Sequence, residues 1–332
     1  MPTSPVLSVL LITYNQEKFI EKAVDSILDQ KTNFEYEIVI GDDGSTDSTR
    51  KILLAYSKRY PNKIKLVLQK ENVGANLNFI STYDACIGKY IAMLEGDDYW
   101  TDCNKLQKQV DFLQSNQEFV ICCHDVERIF DDDCIDAALI ARKKSLKEVS
   151  DLRDLANGNF IFTASAVYLK NVNQFPPWFV NCPLTDWLIY LIVAEHGGKI
   201  FYMKDKMAVY RIHNGGVFST NNSMIYVKQL EINKGIIYQI ENQINYFSKD
   251  KYLKKAFEKN LLSKVNKLRI LALQNADYKT ARSMAAKLMG LAVKQNANLK
   301  IILSALITYN FPESHSKYLI KKKDTSADQM MA

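Results

Sequence analysis

The chain has 332 residues, of which 47% are hydrophobic and 24% are charged, with a formal net charge of +6. That hydrophobic content supports a substantial core in one large or two ordinary domains. No apolar stretch approaches the roughly 20 residues that span a bilayer, and the N-terminus lacks the basic start of a secretory signal. The six cysteines form no Cys-x-x-Cys pair. We therefore expect a cytoplasmic protein with free thiols, not a membrane-spanning or disulfide-linked secreted one.

The first 125 residues alternate between strand and helix patterns. Apolar, β-rich runs predict strands over 6–13, 37–40, 64–68, 90–94 and 119–124. Between them, apolar residues at helical spacing predict helices over 16–30, 46–60, 75–86 and 104–115. This repetition predicts an α/β fold with a mostly parallel sheet flanked by helices on both faces.

Further along, the pattern changes and becomes almost wholly helical. Strands are predicted over 160–169, 199–203 and 207–210, with a helix over 184–195. Helices then follow over 228–247, 252–274, 278–294 and 299–308. We predict a catalytic α/β domain over 1–221, a C-terminal helical region over 222–320, and a disordered tail over 321–332.

Two predicted strands each deliver a pair of carboxylates to their C-terminal ends. Asp42 and Asp43 follow one strand, and Asp97 and Asp98 follow another. Adjacent carboxylates repel and are costly to desolvate unless a cation or hydrogen-bond donors compensate. Because ligands of α/β sheets bind outside the carboxyl ends of strands, the two pairs mark a binding crevice.

Five segments in register resemble family 2 glycosyltransferases of the GT-A fold. They are residues 7–15 and 23–30, the run 37–47 that ends in Asp-Asp-Gly-Ser-Thr-Asp, Asn72-Val73-Gly74, and Glu95-Gly96-Asp97-Asp98. The resemblance covers residues 6–100, thins between 125 and 220, and is only general beyond. It implies an inverting transferase that moves a sugar from a nucleoside-diphosphate donor, such as a UDP-sugar, to a glycan acceptor in bacterial polysaccharide or lipopolysaccharide assembly.

The resemblance also implies a divalent metal, Mn²⁺ or Mg²⁺, beside the donor diphosphate. Asp98 matches the metal-binding member of the family's acidic motif, and Asp97 the member nearer the ribose. Many relatives have Asp where this chain has Glu95, which leaves the metal and its coordination open. A capping pair before the next helix is the alternative reading of the two aspartates.

Other donor contacts are implied around the first two strands. Asp43 matches the carboxylate that binds the nucleotide base, and Thr13, Tyr14 and Asn15 shape the same pocket. Gly74 would let the backbone pass close to the nucleotide, or is a plain turn glycine. For Asp47 we favour a helix-capping role.

The acceptor side contributes a candidate catalytic base, Asp186, because family members place an acidic residue at the start of a helix there. It would take the acceptor proton, or it only complements the helix dipole. After the last strand, His213 is expected to join the metal site and Arg211 to contact the diphosphate.

Charge is unevenly divided along the chain. Residues 225–332 contain 19 Lys and Arg against 8 Asp and Glu, whereas residues 1–224 contain 24 against 29. The basic helices are either a solvated face or a contact to the anionic inner membrane surface. Nucleic-acid binding is not expected, because aromatic and basic residues are not interleaved.

Three further features separate the alternatives. The chain has no Gln-x-x-Arg-Trp motif, so a single addition is favoured over processive synthesis. A nucleotidyltransferase would need a Gly-rich basic loop after the first strand, where this chain has Tyr14-Asn15-Gln16-Glu17. A catalytically silent protein with the same fold, either sugar-nucleotide-binding or a scaffold, stays open as the alternative.

Overall fold

A computed structural model describes residues 4–130, 147–213, 225–295 and 297–319. These residues fall into two compact units. The first unit comprises the residues up to Val180 and those from Thr185 to His213; the second comprises Asn181–Leu184 and the residues from 225 onward. The predicted boundary near residue 221 and the predicted disorder of 321–332 fall outside the described residues.

The first unit follows the predicted alternation of strands and helices. Its first part comprises β1 (Leu7–Thr13), α1 (Ile20–Leu28), β2 (Tyr36–Asp42), α2 (Thr49–Arg59), β3 (Ile64–Leu68), α3 (Ala75–Ala85), β4 (Tyr90–Glu95), β5 (Tyr99–Trp100), α4 (Lys105–Ser115) and β6 (Phe119–Phe130). Its second part comprises β7 (Val149–Ser150), α5 (Leu152–Ala156), β8 (Val167–Leu169), α6 (Thr185–Ala194) and β9 (Lys199–Ile212).

Within the described residues, the strands form one sheet in the order β3-β2-β1-β4-β8-β6-β9-β5, with β7 paired to another part of β9. Strands β3, β2, β1 and β4 are parallel, as are β6 and β9. Strand β8 runs antiparallel between β4 and β6, and β5 and β7 run antiparallel to β9. The predicted α/β class and parallel sheet are confirmed, with a mixed second half.

The register of the parallel strands builds one edge of the sheet. Thr13 at the end of β1 lies opposite Asp42, and Ile12 lies opposite Glu95. The ends of β1, β2 and β4 are therefore level. Burial holds this edge in place, because β1, β2 and β4 are almost fully buried and α1 packs Ile20, Ala23, Val24 and Ile27 into the same core. Each such side chain contributes about 1.5–3 kcal/mol.

Two predicted elements were wrong. The strand predicted over 160–169 is a 3-10 turn at Thr163–Ser165 followed by the short β8. Backbone groups of this segment form hydrogen bonds outside the sheet. The carbonyl of Ala164 accepts the Trp100 indole N–H, and the backbone N–H of Ser165 donates to the carbonyl of Phe162. The two strands predicted at 199–203 and 207–210 are one strand, β9, whose polar residues Lys204 and Asp205 are extra residues against β6.

The second unit contains helices, as predicted. They are α7 (Ile225–Tyr246), α8 (Lys251–Gln274), α9 (Tyr278–Lys294) and α10 (Leu299–Asn310), and residues 312–319 are also helical. Asp250, Asp277 and Asn298 cap the N-termini of α8, α9 and α10 by accepting backbone N–H groups. No described helix is long and apolar enough to cross a bilayer.

Candidate active site

The carboxyl edge of the sheet holds a cluster of three carboxylates. Glu95 ends β4, and the turn that follows brings Asp97 and Asp98 beside it, so that one oxygen of each lies within 4.8 Å of the others. Gly96 makes this possible, since a Cβ there would lie 2.2 Å from Gln16 Oε1 and 2.7 Å from Thr13 Oγ1. Asp97 and Asp98, the two aspartates predicted from the sequence, thus lie together in the turn after β4, beside the end of β1.

Asp98 is the most deeply buried member, at 1% exposure. Its Oδ1 accepts the backbone N–H of Arg211 at 2.8 Å, whereas its Oδ2 has no hydrogen-bond partner in the part of the chain that the structure describes. Burial raises the pKa of Asp98 well above its usual range, and the nearby Asp97 and Glu95 raise it further. Burial, Asp97 and Asp186 likewise raise the pKa of Glu95 to about 8.

This donor set fits a divalent cation. Mg²⁺ and Mn²⁺ prefer hard oxygen ligands, and a carboxylate oxygen buried without a partner is a costly arrangement that a cation relieves. Glu95, Asp97 and Asp98 are the residues that could hold it. His213 is not one of these three mutually close groups, but its Nε2 lies 3.1 Å from Asp97 Oδ2, and its expected role at the metal site stays a prediction.

Arg211 and His213 reach the cluster from the end of β9. The Arg211 Nε donates to the Asp97 carbonyl at 3.1 Å, and its guanidinium lies 4.7 Å from the ring centre of Phe19 and 5.6 Å from that of Tyr99. His213 also packs on Phe19, with ring centres 4.8 Å apart. Phe19 therefore supports both Arg211 and His213, and Tyr99 supports Arg211. Phe19 falls within the helix predicted over 16–30, and its helical spacing does not indicate this role.

On the other side of β1, Asp43 binds the loop that carries Gly74. Its Oδ1 accepts the backbone N–H of Val73 at 2.8 Å and its Oδ2 that of Gly74 at 3.1 Å. Burial raises the pKa of Asp43, partly offset by these two bonds. A carboxylate has about four acceptor positions, so Asp43 retains capacity for a ligand.

The remaining predicted donor residues line the same edge. Thr13 is buried and donates to Gln16 Oε1 at 2.8 Å, and Tyr14 is 43% exposed. Asn15 adopts a left-handed conformation (φ 52°), and its Oδ1 accepts the backbone N–H of Thr46 at 2.8 Å. Gly74 has φ 91° and open space at its Cβ position, so backbone conformation alone accounts for glycine there.

Two other aspartates have structural roles. Asp42 is buried and bonded to Arg50 Nε at 2.5 Å. Asp47 accepts the backbone N–H groups of Thr49 at 2.9 Å and Glu17 at 3.1 Å, so it bonds the first residue of α2 from the position before the N-cap, Ser48.

Asp186 lies in the first turn of α6. Its Oδ2 accepts the Nδ2 amide of Asn159 at 2.7 Å and its Oδ1 the backbone N–H of Trp187 at 2.7 Å. Its charge lies near enough to Glu95 to raise the pKa of that residue. Nothing in the sequence pointed to Asn159, which lies in an irregular segment far from any motif.

The fold and this acidic edge define a GT-A glycosyltransferase architecture. The model of the family described as "Glycosyl transferase family 2" matches residues 8–173, half of the chain. The chain belongs to glycosyl transferase family 2.

Relatives and solved structures agree with this assignment. The uncharacterized protein Rv1520 of Mycobacterium tuberculosis is 37% identical over 219 residues, 64% of this chain and 60% of that protein. The uncharacterized glycosyltransferase alr2836 of Nostoc sp. is 31% identical over 213 residues, 62% of this chain and 65% of that protein. The chain thus spans less than two thirds of the length of these relatives.

Two solved structures share the fold at low identity. S. aureus TarS 1-349 in complex with UDP has a TM-score of 0.52 and 15% identity, covering 92% of this chain and 91% of that one. The mannosyltransferase PcManGT from Pyrobaculum calidifontis, in complex with GDP-Man and Mn²⁺, has a TM-score of 0.54 and 16% identity, covering 96% and 86%.

Proposed function

We propose that the chain is an inverting, metal-dependent glycosyltransferase. It transfers one sugar from a nucleoside-diphosphate sugar, a UDP-sugar in the first instance, to a hydroxyl of a glycan acceptor in bacterial surface polysaccharide or lipopolysaccharide assembly. The observation that carries the proposal is the cluster of Glu95, Asp97 and Asp98, in which the buried Oδ2 of Asp98 has no hydrogen-bond partner among the described residues. Three carboxylates in such a place are unfavourable without a cation.

Donor binding is assigned to both sides of β1. A divalent ion held by Glu95, Asp97 and Asp98 would supply positive charge against the leaving diphosphate. Arg211, supported by the rings of Phe19 and Tyr99, contacts the diphosphate. Asp43 accepts a hydrogen bond from the base. The solved relatives with UDP and with GDP-Man and Mn²⁺ support this donor class.

We assign the role of general base in sugar transfer to Asp186. The acceptor oxygen attacks the anomeric carbon as the bond from that carbon to the diphosphate oxygen breaks, and the acceptor proton passes to the Asp186 carboxylate. The support is that its charge lies near enough to Glu95 to raise the pKa of that residue, and that the amide of Asn159 orients its carboxylate. Attack from the face opposite the leaving group inverts the anomeric centre.

We place the enzyme in the cytoplasm, peripheral on the inner face of the membrane. The support is the excess of 19 basic over 8 acidic residues in 225–332, which suits an anionic lipid surface. A lipid-linked glycan is the acceptor that such a location favours.

Calorimetric titration with UDP, GDP and CDP, each with and without Mn²⁺, tests the proposal. We expect UDP binding that requires Mn²⁺ and is lost in Asp98→Asn but kept in Asp84→Asn, an exposed aspartate on α3. Absence of nucleotide binding by the wild-type chain would overturn the proposal and favour the scaffold alternative. Binding of GDP or CDP alone would correct the nucleotide while leaving the reaction class in place.

A further inference from the structure

Helix α10 in the second unit is apolar on its exposed side as well as on its buried side. Its buried side is fixed to α8, because Arg269 donates to Thr308 Oγ1 and, from Nη2, to Ser304 Oγ at 3.0 Å. The opposite side and the residue after the helix expose large apolar side chains, each 41–66% exposed. We name them the α10 face: Leu299, Leu303, Leu306, Ile307, Tyr309 and Phe311.

The spacing of these residues makes a continuous stripe. Positions 299, 303, 306, 307 and 310 share one side of an α-helix, and the only polar residue among them is Asn310. Monomeric proteins rarely expose a contiguous apolar surface of this kind without a partner. The hydrogen bonds of Arg269 hold the helix so that the stripe stays outward.

Charge indicates what the partner is. Helix α10 contains no acidic residue, and Lys294, Lys300 and Lys317 are exposed before, on and after it. The whole of residues 225–332 has 11 more basic than acidic residues. A second copy would bring this positive region against itself.

We propose that the α10 face lies in the interfacial layer of an anionic lipid bilayer, with α10 parallel to the membrane plane. Its 12 residues are too short to span a bilayer but suit interfacial burial beneath flanking lysines. The α10 face is thus the surface through which the chain would contact the membrane location proposed above. The proposed membrane contact does not depend on nucleotide binding or on sugar transfer.

Flotation of the full chain with vesicles tests it. The vesicles are phosphatidylcholine alone or with roughly 30 mol% phosphatidylglycerol. We expect the wild type to float with the anionic vesicles, less so at high salt, and not with the neutral ones. The variant Leu303→Glu/Ile307→Glu should bind at least about tenfold more weakly.

The matched control is Leu54→Glu/Ile87→Glu, which places the same charges at exposed apolar positions of the first unit. It should float like the wild type. Thermal unfolding of both variants should match the wild type, since all four side chains are exposed.

Three outcomes would overturn the proposal. They are no binding to anionic vesicles, equal binding by Leu303→Glu/Ile307→Glu, or a wild-type dimer in light scattering that this variant dissociates without any vesicle binding. No substrate is present in the assay, so its result is independent of whether the proposed transfer reaction is correct.

Discussion

The Nδ2 amide of Asn159 donates a 2.7 Å hydrogen bond to Oδ2 of Asp186. The other oxygen of Asp186 accepts the backbone N–H of Trp187, so both oxygens of the proposed base are held from the protein side. A base held in this way needs no reorientation before it accepts a proton.

Replacing Asn159 with Ala should therefore lower kcat more than it changes KM for the donor. A hydrogen bond to a charged group contributes about 1.5–3 kcal/mol, which corresponds to about a 10–100-fold loss. Steady-state kinetics of Asn159→Ala measure this, and Asn157→Ala, whose exposed amide donates to the Arg153 carbonyl, serves as the control.

A double-variant comparison separates positioning from a general packing effect. In an Asp186→Ala background, Asn159→Ala should cause no further loss of kcat. An equal loss in both backgrounds would show that Asn159 acts by some route other than Asp186.

The variant Asp98→Asn should keep the fold and lose activity. The amide oxygen can still accept the backbone N–H of Arg211. The substitution also removes a negative charge from position 98, where the charges of Asp97 and Glu95 make the ionised form unfavourable. We expect transfer to fall at least about 100-fold and the thermal midpoint without metal to stay or rise. Unchanged turnover would contradict the metal assignment.

Acid should destabilise the protein through His124. Burial, with a smaller effect of Lys105, lowers the pKa of this histidine to about 3, so the folded state leaves it neutral while the unfolded state protonates it below about 6.5. Stability is then lost as the pH falls from about 6.5 towards 3, by about 2 kcal/mol near pH 5. Urea unfolding across this range should show a shallower pH dependence in His124→Gln.

The control for this prediction is His196→Gln, whose side chain is 81% exposed. Its pH dependence should follow the wild type. A wild-type slope in His124→Gln would mean that other groups carry the acid sensitivity.

Two glycines should respond oppositely to alanine. At Gly44, φ is 72° and a Cβ would lie 2.4 Å from the Glu71 carbonyl carbon, so Gly44→Ala should cost about 1–3 kcal/mol. Gly290 is inside α9 with nothing within 4 Å of its Cβ position, so Gly290→Ala should gain about 0.5–1 kcal/mol. Denaturant unfolding measures both, and a loss at Gly290 would contradict the helical reading.

The sequence predicted those parts of the fold that depend on local periodicity. Strands β1, β2 and β4 are buried on both faces, so their apolar runs were unambiguous, and the ends of β2 and β4 placed the acidic pairs correctly. The roles of Asp186, Asp43 and the donor residues remain predictions, although Asp43 is now seen to brace the Gly74 loop.

The features that the local sequence pattern did not predict depend on contacts between residues far apart in the chain. The indole of Trp100 reaches across 64 positions to the Ala164 carbonyl, which turns a strand-like run into a 3-10 turn. The polar Lys204 and Asp205 suggested a break, but pairing with β6 keeps β9 continuous. Asn159 acts over 27 positions, and an asparagine in a loop has no periodicity to reveal it.

The link between β9 and Asp98 runs through a backbone N–H, which every residue type except proline possesses. Strand β5 adds backbone pairing of Tyr99 and Trp100 with Val209 and Ala208. Exchange of the side chain at position 211 for any residue except proline thus keeps this backbone bond to Asp98, although it removes the bond from the Arg211 Nε to the Asp97 carbonyl. Such an exchange would change the charge beside Asp98 without breaking the backbone connection between the end of β9 and the acidic turn.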